Sequence, residues 1–380
     1  MKNIKKSLAL VLAFVMILGL CTIGAGAAFN DASSIDATYS TAVEVMSGMG
    51  ILAGSDDDGD GKFDFNPKGT LTRAAAAKMI SYMILGKDAA EKLPAKAMFD
   101  DVKVTDWSAK YVYYLANKGI INGLGGNKFG PNDSVTATQL AKMLLAACGY
   151  GKAGEFVGTG WDVNVFAYAT DLGVYKNTEA ADYDVAATRE EAALYVFNTM
   201  TRVNLVNYNA EDLIYTEKKV DDKVVKFAGS KYNYDTKEGV ITAIKGSGSN
   251  YTVLTYTLNN VKSFLYLNVD VPTTMLGHKV EVYYNTKTVT DDNNKPYNNV
   301  FYVKDLSTEF FSFMSKYKDI YNALGGANME LLPYNTSADT TTRNVNNDFT
   351  YWLNGVDVTY TTANDDMGYY GGYFTTTYSK

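Results

Sequence analysis

The chain has 380 residues, 47% of them hydrophobic, a mean hydropathy of −0.15 and a formal charge of −7. That length exceeds one ordinary domain and allows two or three, each able to bury a core. The acidic balance argues against nucleic acid as a partner, and 30 tyrosines, most of them after residue 200, mark a shift toward a second kind of domain.

Residues 1–28 read as an export leader. Lys2, Lys5 and Lys6 form a basic start, Leu8 to Leu20 an apolar stretch, and Ala25-Gly26-Ala27 a small-residue cleavage site. Cleavage there removes three lysines and takes the formal charge to −10. Cys21 stands where a lipoprotein needs its cysteine, but Leu20 before it is too large for the usual small residue. Cys148 is then the only cysteine, so no intramolecular disulfide is available and stability falls to packing or bound ions. No later stretch is apolar enough to span a bilayer.

The chain then repeats itself. Residues 29–93 hold a first copy, with Ala42, Val43, Met46 and Met49 at helical spacing and Gly50 as the stop. Phe65-Asn66-Pro67-Lys68-Gly69-Thr70-Leu71-Thr72 aligns with Phe129-Gly130-Pro131-Asn132-Asp133-Ser134-Val135-Thr136 of a second copy, residues 97–150. Both copies carry Gly, two aliphatics, any residue and Gly: Gly50 to Gly54 and Gly119 to Gly123. A weaker third copy, residues 155–205, enters through Trp161 and a helix from Val165 to Leu172, and has Tyr183-Asp184-Val185 roughly where Phe-x-Pro stands in the others. Thr136-x-x-Gln139 and Thr188-x-x-Glu191 are capping boxes, so each copy reads as helix, glycine-stopped loop, turn and capped helix. A repeat of this size cannot bury its own face and needs its neighbours.

Phe65 comes eleven positions after Gly54, whereas Phe129 comes six after Gly123, and the excess is the acidic run Asp56-Asp57-Asp58-Gly59-Asp60-Gly61. Asp56, Asp58, Asp60 and Gly61 match the opening D-x-D-x-D-G of a calcium loop, in which alternate carboxylates converge around a glycine turn. Asp64 takes the ninth position, but the twelfth, normally a bidentate glutamate, is Pro67. A weak Ca2+ site and a solvated acidic hairpin both fit this pattern.

Arg73 and Arg189 directly follow the capping threonines. An arginine in a first helical turn sets a forked cation beside unpaired N–H groups and the positive end of the helix dipole, which suits a carboxylate. The alternative is that each arginine braces a neighbouring repeat through carbonyls or an acid. Trp107 fits either a packing anchor or a sugar platform. Catalysis has little support: His278 follows Leu276-Gly277 at a turn, Cys148 sits on an apolar helix face, and no carboxylate pair stands in a motif that separates an acid from a base.

Thr72-Arg73-Ala74, Thr188-Arg189-Glu190, the Phe-x-Pro turns, the Gly-Ile/Val signals and Phe99-Asp100-Asp101-Val102 ahead of Trp107 resemble the S-layer homology family, over about residues 29–205. The resemblance implies a secreted surface protein of a Gram-positive bacterium, held non-covalently to secondary cell-wall polysaccharide, commonly pyruvylated, either as a self-assembling S-layer subunit or as a surface protein of unknown display role; the absent catalytic motif makes it read as non-enzymatic. It also implies that Arg73 and Arg189 hold the acid group, with Asp31, Asp101, Trp107, Gly54 and Gly123 shaping grooves between repeats. Ala137 replaces the family arginine in the second copy.

From about residue 206 the period changes from helical to alternating. Val240 to Ile244, Tyr251 to Leu258, Ser263 to Val269, Lys279 to Tyr284 and Val300 to Val303 read as five strands, giving residues 206–306 as a small barrel or meander, OB-like in type. The fold class is therefore multidomain: an all-α three-repeat bundle, then a mostly-β domain. Residues 307–380 read as a helix from Phe310 to Leu324, strand-like pieces at Phe349 to Leu353 and Val356 to Thr361, and an ending that does not resemble a finished domain. Two alternatives follow: the repeats anchor a wall hydrolase, or the β region is an adhesin or carbohydrate-binding module.

Overall fold

The computed structural model describes residues 29–55, 63–245, 251–259, 261–272, 275, 278–290 and 296–306, with short strands at 23–24 and between 310 and 377. Most of the expected leader, and the acidic run with Asp56, Asp58 and Asp60, lie outside the described residues. The chain forms two compact units, one running to Asp235 and one from Thr236.

Three segments of the first unit share one plan. A first helix, α1 (Ala37–Gly48), is followed by a loop, a turn and a threonine-capped helix, α2 (Arg73–Leu85), with a short α3 (Lys87–Glu91) behind it. Then come α4 (Ala109–Asn117) and α5 (Ala137–Cys148), and finally α6 (Trp161–Asp171) and α7 (Arg189–Arg202). The stop at Gly119 works because φ is 67° there, a left-handed conformation that costs glycine nothing. Both capping boxes form as the sequence predicts: Thr136 and Thr188 each accept from the third helical N–H, and Gln139 and Glu191 reach back to the caps.

The segments close on one another in a ring. Leu71 N–H donates to Ala187 O at 3.0 Å, Ala187 N–H to Val135 O at 3.0 Å, and Val135 N–H to Leu71 O at 2.9 Å. Each of these residues directly precedes a capping threonine, so the ring relates the three segments by a quasi-threefold axis. Side-chain packing follows the same cycle: each capped helix lies against the first helix of the next segment, α2 on α4, α5 on α6 and α7 back on α1. Phe29, Val43, Phe65 and Ala193, and beside them Tyr39, Ala42 and Leu194, form the seam between α7 and α1. The three capped helices also touch each other at the centre. Their small residues Ala76, Ala77, Ala141, Ala192 and Ala193 are buried to 0% exposure, which allows the close approach.

Residues 206–235 pack with the helices rather than with the strands that follow. A hairpin of β1 (Val206–Asn209) and β2 (Ile214–Glu217) brings the Tyr215 hydroxyl to donate to Glu155 at 2.6 Å. A one-turn helix, α8 (Phe227–Tyr232), buries Tyr232, whose hydroxyl donates to Tyr82 O at 2.6 Å. The change in periodicity at residue 206 is thus not the boundary between compact units, because these aromatics find their burial on the helical side.

In the second unit β3 (Tyr234–Lys245), β4 (Tyr251–Leu258) and β5 (Val261–Asn268) form an antiparallel meander. β6 (Lys279–Thr290) pairs with β7 (Pro296–Asp305), β7 runs parallel to β5, and β6 returns to β3, closing a five-stranded barrel. Register shifts near Ile241 and around Val300 bend the strands enough for closure. Ile241, Leu254, Leu267, Val280, Val282 and Val300 fill the interior. Beyond the barrel, Phe310–Lys316 is a strand paired with Gly371–Thr377, correcting the expected helix start. Its run of aromatics favours extended backbone over helix. Residues 317–324 of that expected helix lie outside the described residues. Tyr351–Leu353 and Val356–Val358 pair as a hairpin.

Candidate functional site

The junctions between segments hold most of the residues singled out from the sequence. At each junction the first two N–H groups of a capped helix donate to the turn of another segment. Arg73 and Ala74 donate to Asp133 O and Pro131 O, Ala137 and Thr138 to Val185 O and Tyr183 O, and Arg189 and Glu190 to Gly69 O and Pro67 O. With the third N–H taken by the threonine, the first three N–H groups of each capped helix are engaged. The same pattern sets the true alignment of the third segment. Tyr183 stands where Pro67 and Pro131 stand, and Ala181 where Phe65 and Phe129 stand, two positions from the equivalence read in the sequence.

The arginines face inward. Arg73 is 4% exposed; its Nε donates to Phe129 O at 2.8 Å, its Nη2 donates to Asn122 O at 2.9 Å, and its guanidinium lies 4.6 Å from the Phe129 ring centre. Burial lowers its pKa, against the raising effect of Asp133 and Asp101, and a guanidinium stays charged regardless. Arg189 repeats the geometry at the next junction, donating to Phe65 O at 2.7 Å and Ala53 O at 3.2 Å, with the Phe65 ring 5.1 Å away, but it is partly exposed. The Arg73 donors thus point at loop carbonyls, that of Phe129 buried and that of Asn122 nearer the surface. These two residues tie one segment to the next, as the alternative reading held.

Asp31 and Asp101 are turn clamps. Asp31 accepts from Phe65 and Asn66 N–H, both at 2.7 Å, and Asp101 from Phe129 and Gly130 N–H, both at 2.8 Å. The Asp101 pKa is lowered: burial raises it, and the two N–H donors more than offset that. Gly54 and Gly123 lie beneath this turn. A Cβ on Gly123 would stand 2.7 Å from Lys128 O and 2.8 Å from the Phe99 ring, and one on Gly54 2.8 Å from Asp64 O. The expected groove residues thus hold the Phe-x-Pro turn in place.

What faces solvent at the junctions is different. Trp107, at the head of α4, is 58% exposed, with the Lys78 ammonium 5.9 Å from its ring centre. Trp161, at the head of α6, carries the Lys142 ammonium 4.4 Å from its ring centre. Trp107 and Trp161 each precede the stop glycine by twelve positions, and Lys78 and Lys142 each follow the capping threonine by six. That double spacing was available in the sequence, but nothing there showed that the two elements meet. At the α5–α6 junction a cavity of about 280 Å3 opens beside Thr138, Asp162, Phe166, Ala181 and Tyr183. Ala181 lines it at the position filled by a fully buried phenylalanine in the other two segments.

Outside the junctions, His278 Nδ1 lies 2.6 Å from Asp305 Oδ2, a partner the sequence did not reveal. Cys148 is buried, and burial pushes its thiol pKa up, so it is a core residue. Among the described residues no helix is long and apolar enough to cross a membrane.

The S-layer homology domain model matches residues 28–77 and 99–136, which cover the first segment as far as α2 and the second up to the cap of α5. The third segment lies outside both matches. A protein named "Cell surface protein" from Thermoanaerobacter kivui is 29% identical over 211 residues, 55% of this chain and 26% of that protein. The "Surface-layer 125 kDa protein" of Lysinibacillus sphaericus is 26% identical over 196 residues, 48% of this chain and 16% of its own length. An "Amylopullulanase" of Thermoanaerobacterium thermosulfurigenes is 31% identical over 118 residues, 30% of this chain and 6% of its own. The chain spans about a quarter or less of the length of these relatives, which include proteins named for a surface and for an enzyme.

Proposed function

We propose that the helical unit is a three-repeat S-layer homology module that holds an exported protein non-covalently to acidic cell-wall polysaccharide at the junctions between repeats. The observation that carries this reading is the ring: the two matched segments and the unmatched third occupy equivalent places in one cycle of backbone bonds. A grooved cyclic unit with solvent-facing Trp–Lys pairs is suited to a polymer that offers sugar faces and acid groups together. The net charge of −10 after leader removal repels such a polymer only beyond contact, because salt screens it over roughly 8 to 10 Å. The surface-protein names of the relatives support placing this protein at the cell surface, as an S-layer subunit or a display protein.

The test is co-sedimentation of the protein with purified Gram-positive wall, before and after chemical removal of the attached polysaccharide. Binding is expected to disappear with the polysaccharide; equal retention on both preparations refutes the reading. A weak Ca2+ site at Asp56, Asp58 and Asp60 is part of the proposal on sequence pattern alone. Calorimetric titration with CaCl2 that gives no saturable heat in the millimolar range removes it.

A second reading concerns the barrel, which has the strand count of an OB-type fold. Phe264 and Tyr266, two positions apart on β5, are 53% and 45% exposed on one face, a surface suited to stacking against sugar rings. Glycan-array binding by the protein that is lost in F264A/Y266A would support it as a carbohydrate-binding module. The wall-hydrolase alternative has enzyme-named relatives behind it, an amylopullulanase, an exoglucanase and an uncharacterized cell wall amidase.

A further inference from the structure

The barrel has a face that anchoring by the helical unit does not use. Its strands run in the order β3-β4-β5-β7-β6 and back to β3, with β5 and β7 parallel. In OB-type barrels the second and third strands, here β4 and β5, meet oligosaccharides and oligonucleotides, but a fold supplies no function until its side chains do. Leu254 and Leu267 point into the barrel, so alternation turns Thr255 of β4 and Phe264, Tyr266 and Asn268 of β5 to the outside. Thr255 stands opposite Phe264 in register. A bulge ends this row: β7 skips its pairing with β6 at Asn299, between Asn298 and Val300, and Asn299 meets its parallel neighbour Asn268 instead. Asn268 Nδ2 donates to Asn299 Oδ1 at 3.0 Å. Both amides are exposed, and that bond leaves Asn268 Oδ1 as an acceptor and Asn299 Nδ2 as a donor, neither with another partner among the described residues.

We infer that Phe264, Tyr266, Asn268 and Asn299 bind an uncharged glycan, the two aromatics stacking on sugar rings and the amide pair exchanging hydrogen bonds with hydroxyls. This rests on the carbohydrate-binding reading of the barrel, and adds the ligand class and a second pair of contact residues. A sugar hydroxyl both donates and accepts, and the amide pair offers one group of each kind in one place. The rings, two positions apart on β5, are spaced by about 7 Å along the strand, with Asn268 two positions further on. A glycan chain therefore lies along β5 and reaches the amides at its end. Charge selects the class of ligand. From Phe264 to Asn299 the row holds no ionisable side chain but that of Tyr266, and Lys262 takes the next register position toward the hairpin tip. An acidic polymer finds no cation along this row, and a nucleic acid needs a cationic groove for its backbone as well as stacking rings.

The experiment is affinity electrophoresis of the whole protein through gels holding a soluble β-glucan, a mannan or a galactan, all uncharged, with an acidic glycan and a single-stranded oligonucleotide as comparisons. At least one neutral glycan is expected to retard the protein, equally at low and high NaCl because no ion pair forms. F264A/Y266A should abolish the retardation. N268A/N299A should weaken it about tenfold, the effect of removing two neutral hydrogen bonds, with the urea midpoint and wall retention unchanged. Passage of the wild type unretarded through all three neutral glycans, or wild-type affinity in N268A/N299A, overturns the inference. Retardation by the acidic glycan alone that F264A/Y266A loses overturns the neutral-ligand assignment and keeps the carbohydrate-binding reading. Neutral-glycan binding that survives in F264A/Y266A, or preference for the oligonucleotide over every glycan, overturns both.

Discussion

Replacing Arg73 with alanine separates a structural arginine from a ligand-binding one. In the folded protein its guanidinium satisfies Phe129 O and Asn122 O from a side chain only 4% exposed. Each of these bonds from a charged donor is worth about 1.5–3 kcal/mol, and the buried Phe129 carbonyl left unpaired costs about 1–3 kcal/mol, whereas water can reach that of Asn122. The Phe129 ring 4.6 Å away adds about 1 kcal/mol more. Because these contributions overlap, a loss of about 4 kcal/mol is expected. That is a large part of the ~5–15 kcal/mol that holds a typical domain. Arg73→Lys keeps the charge but cannot span both carbonyls, and should lose about 2 kcal/mol. The assay is urea unfolding followed by tryptophan emission, since Trp107 and Trp161 both lie in the helical unit. An Arg73→Ala variant within 1 kcal/mol of wild type that also fails to bind wall would refute the argument and return Arg73 to the ligand.

Other variants test the remaining physical claims. Glu44 is 4% exposed, and burial raises its pKa from 4.5 to about 7. The folded state thus keeps its proton where the unfolded chain releases it: no penalty arises below about pH 4.5, stability falls as pH rises from there to 7, and the loss then levels off at no more than about 3 kcal/mol. Glu44→Gln should match wild type near pH 4 and exceed it at pH 8, as measured by urea midpoints; a constant difference between them at both pH values contradicts this. Gly123→Ala forces a Cβ against Lys128 O and the Phe99 ring, and should cost about 1–3 kcal/mol in the same assay. Thr188→Ala removes a complete capping box and should lose about 1 kcal/mol, whereas Thr188→Ser should lose little. Glu91 has its pKa held down at about 2, first by the hydrogen bond from Lys110 and then by Tyr82. Its contribution is present above about pH 4.5 and fades toward pH 2; because the pair is partly exposed, Glu91→Gln should cost no more than about 1 kcal/mol at pH 7, read from thermal melts.

Much of the local architecture was legible in the chain. Thr136-x-x-Gln139 and Thr188-x-x-Glu191 determine their helix starts because the partner groups lie within one turn. Gly119 determines a stop because the conformation needed belongs to a single residue. Alternation from Val240 to Val303 determines strands, since the period of two is a property of extended backbone. Local signals could not show that α7 returns to α1, or that Leu71, Val135 and Ala187 bond in a cycle, because those contacts join residues more than fifty positions apart. The surroundings of the arginines were out of reach for the same reason. An arginine after a helix cap does stand beside unpaired N–H groups in an isolated helix, but here the neighbouring turn supplies carbonyls to those groups and to the guanidinium as well. Sequence determined which side chains could carry charge at the junctions. Tertiary packing decided which of them stayed in water, turning Arg73 inward and leaving Lys78 and Lys142 beside tryptophans, because a buried carbonyl without a donor costs more free energy than a surface lysine without an acid.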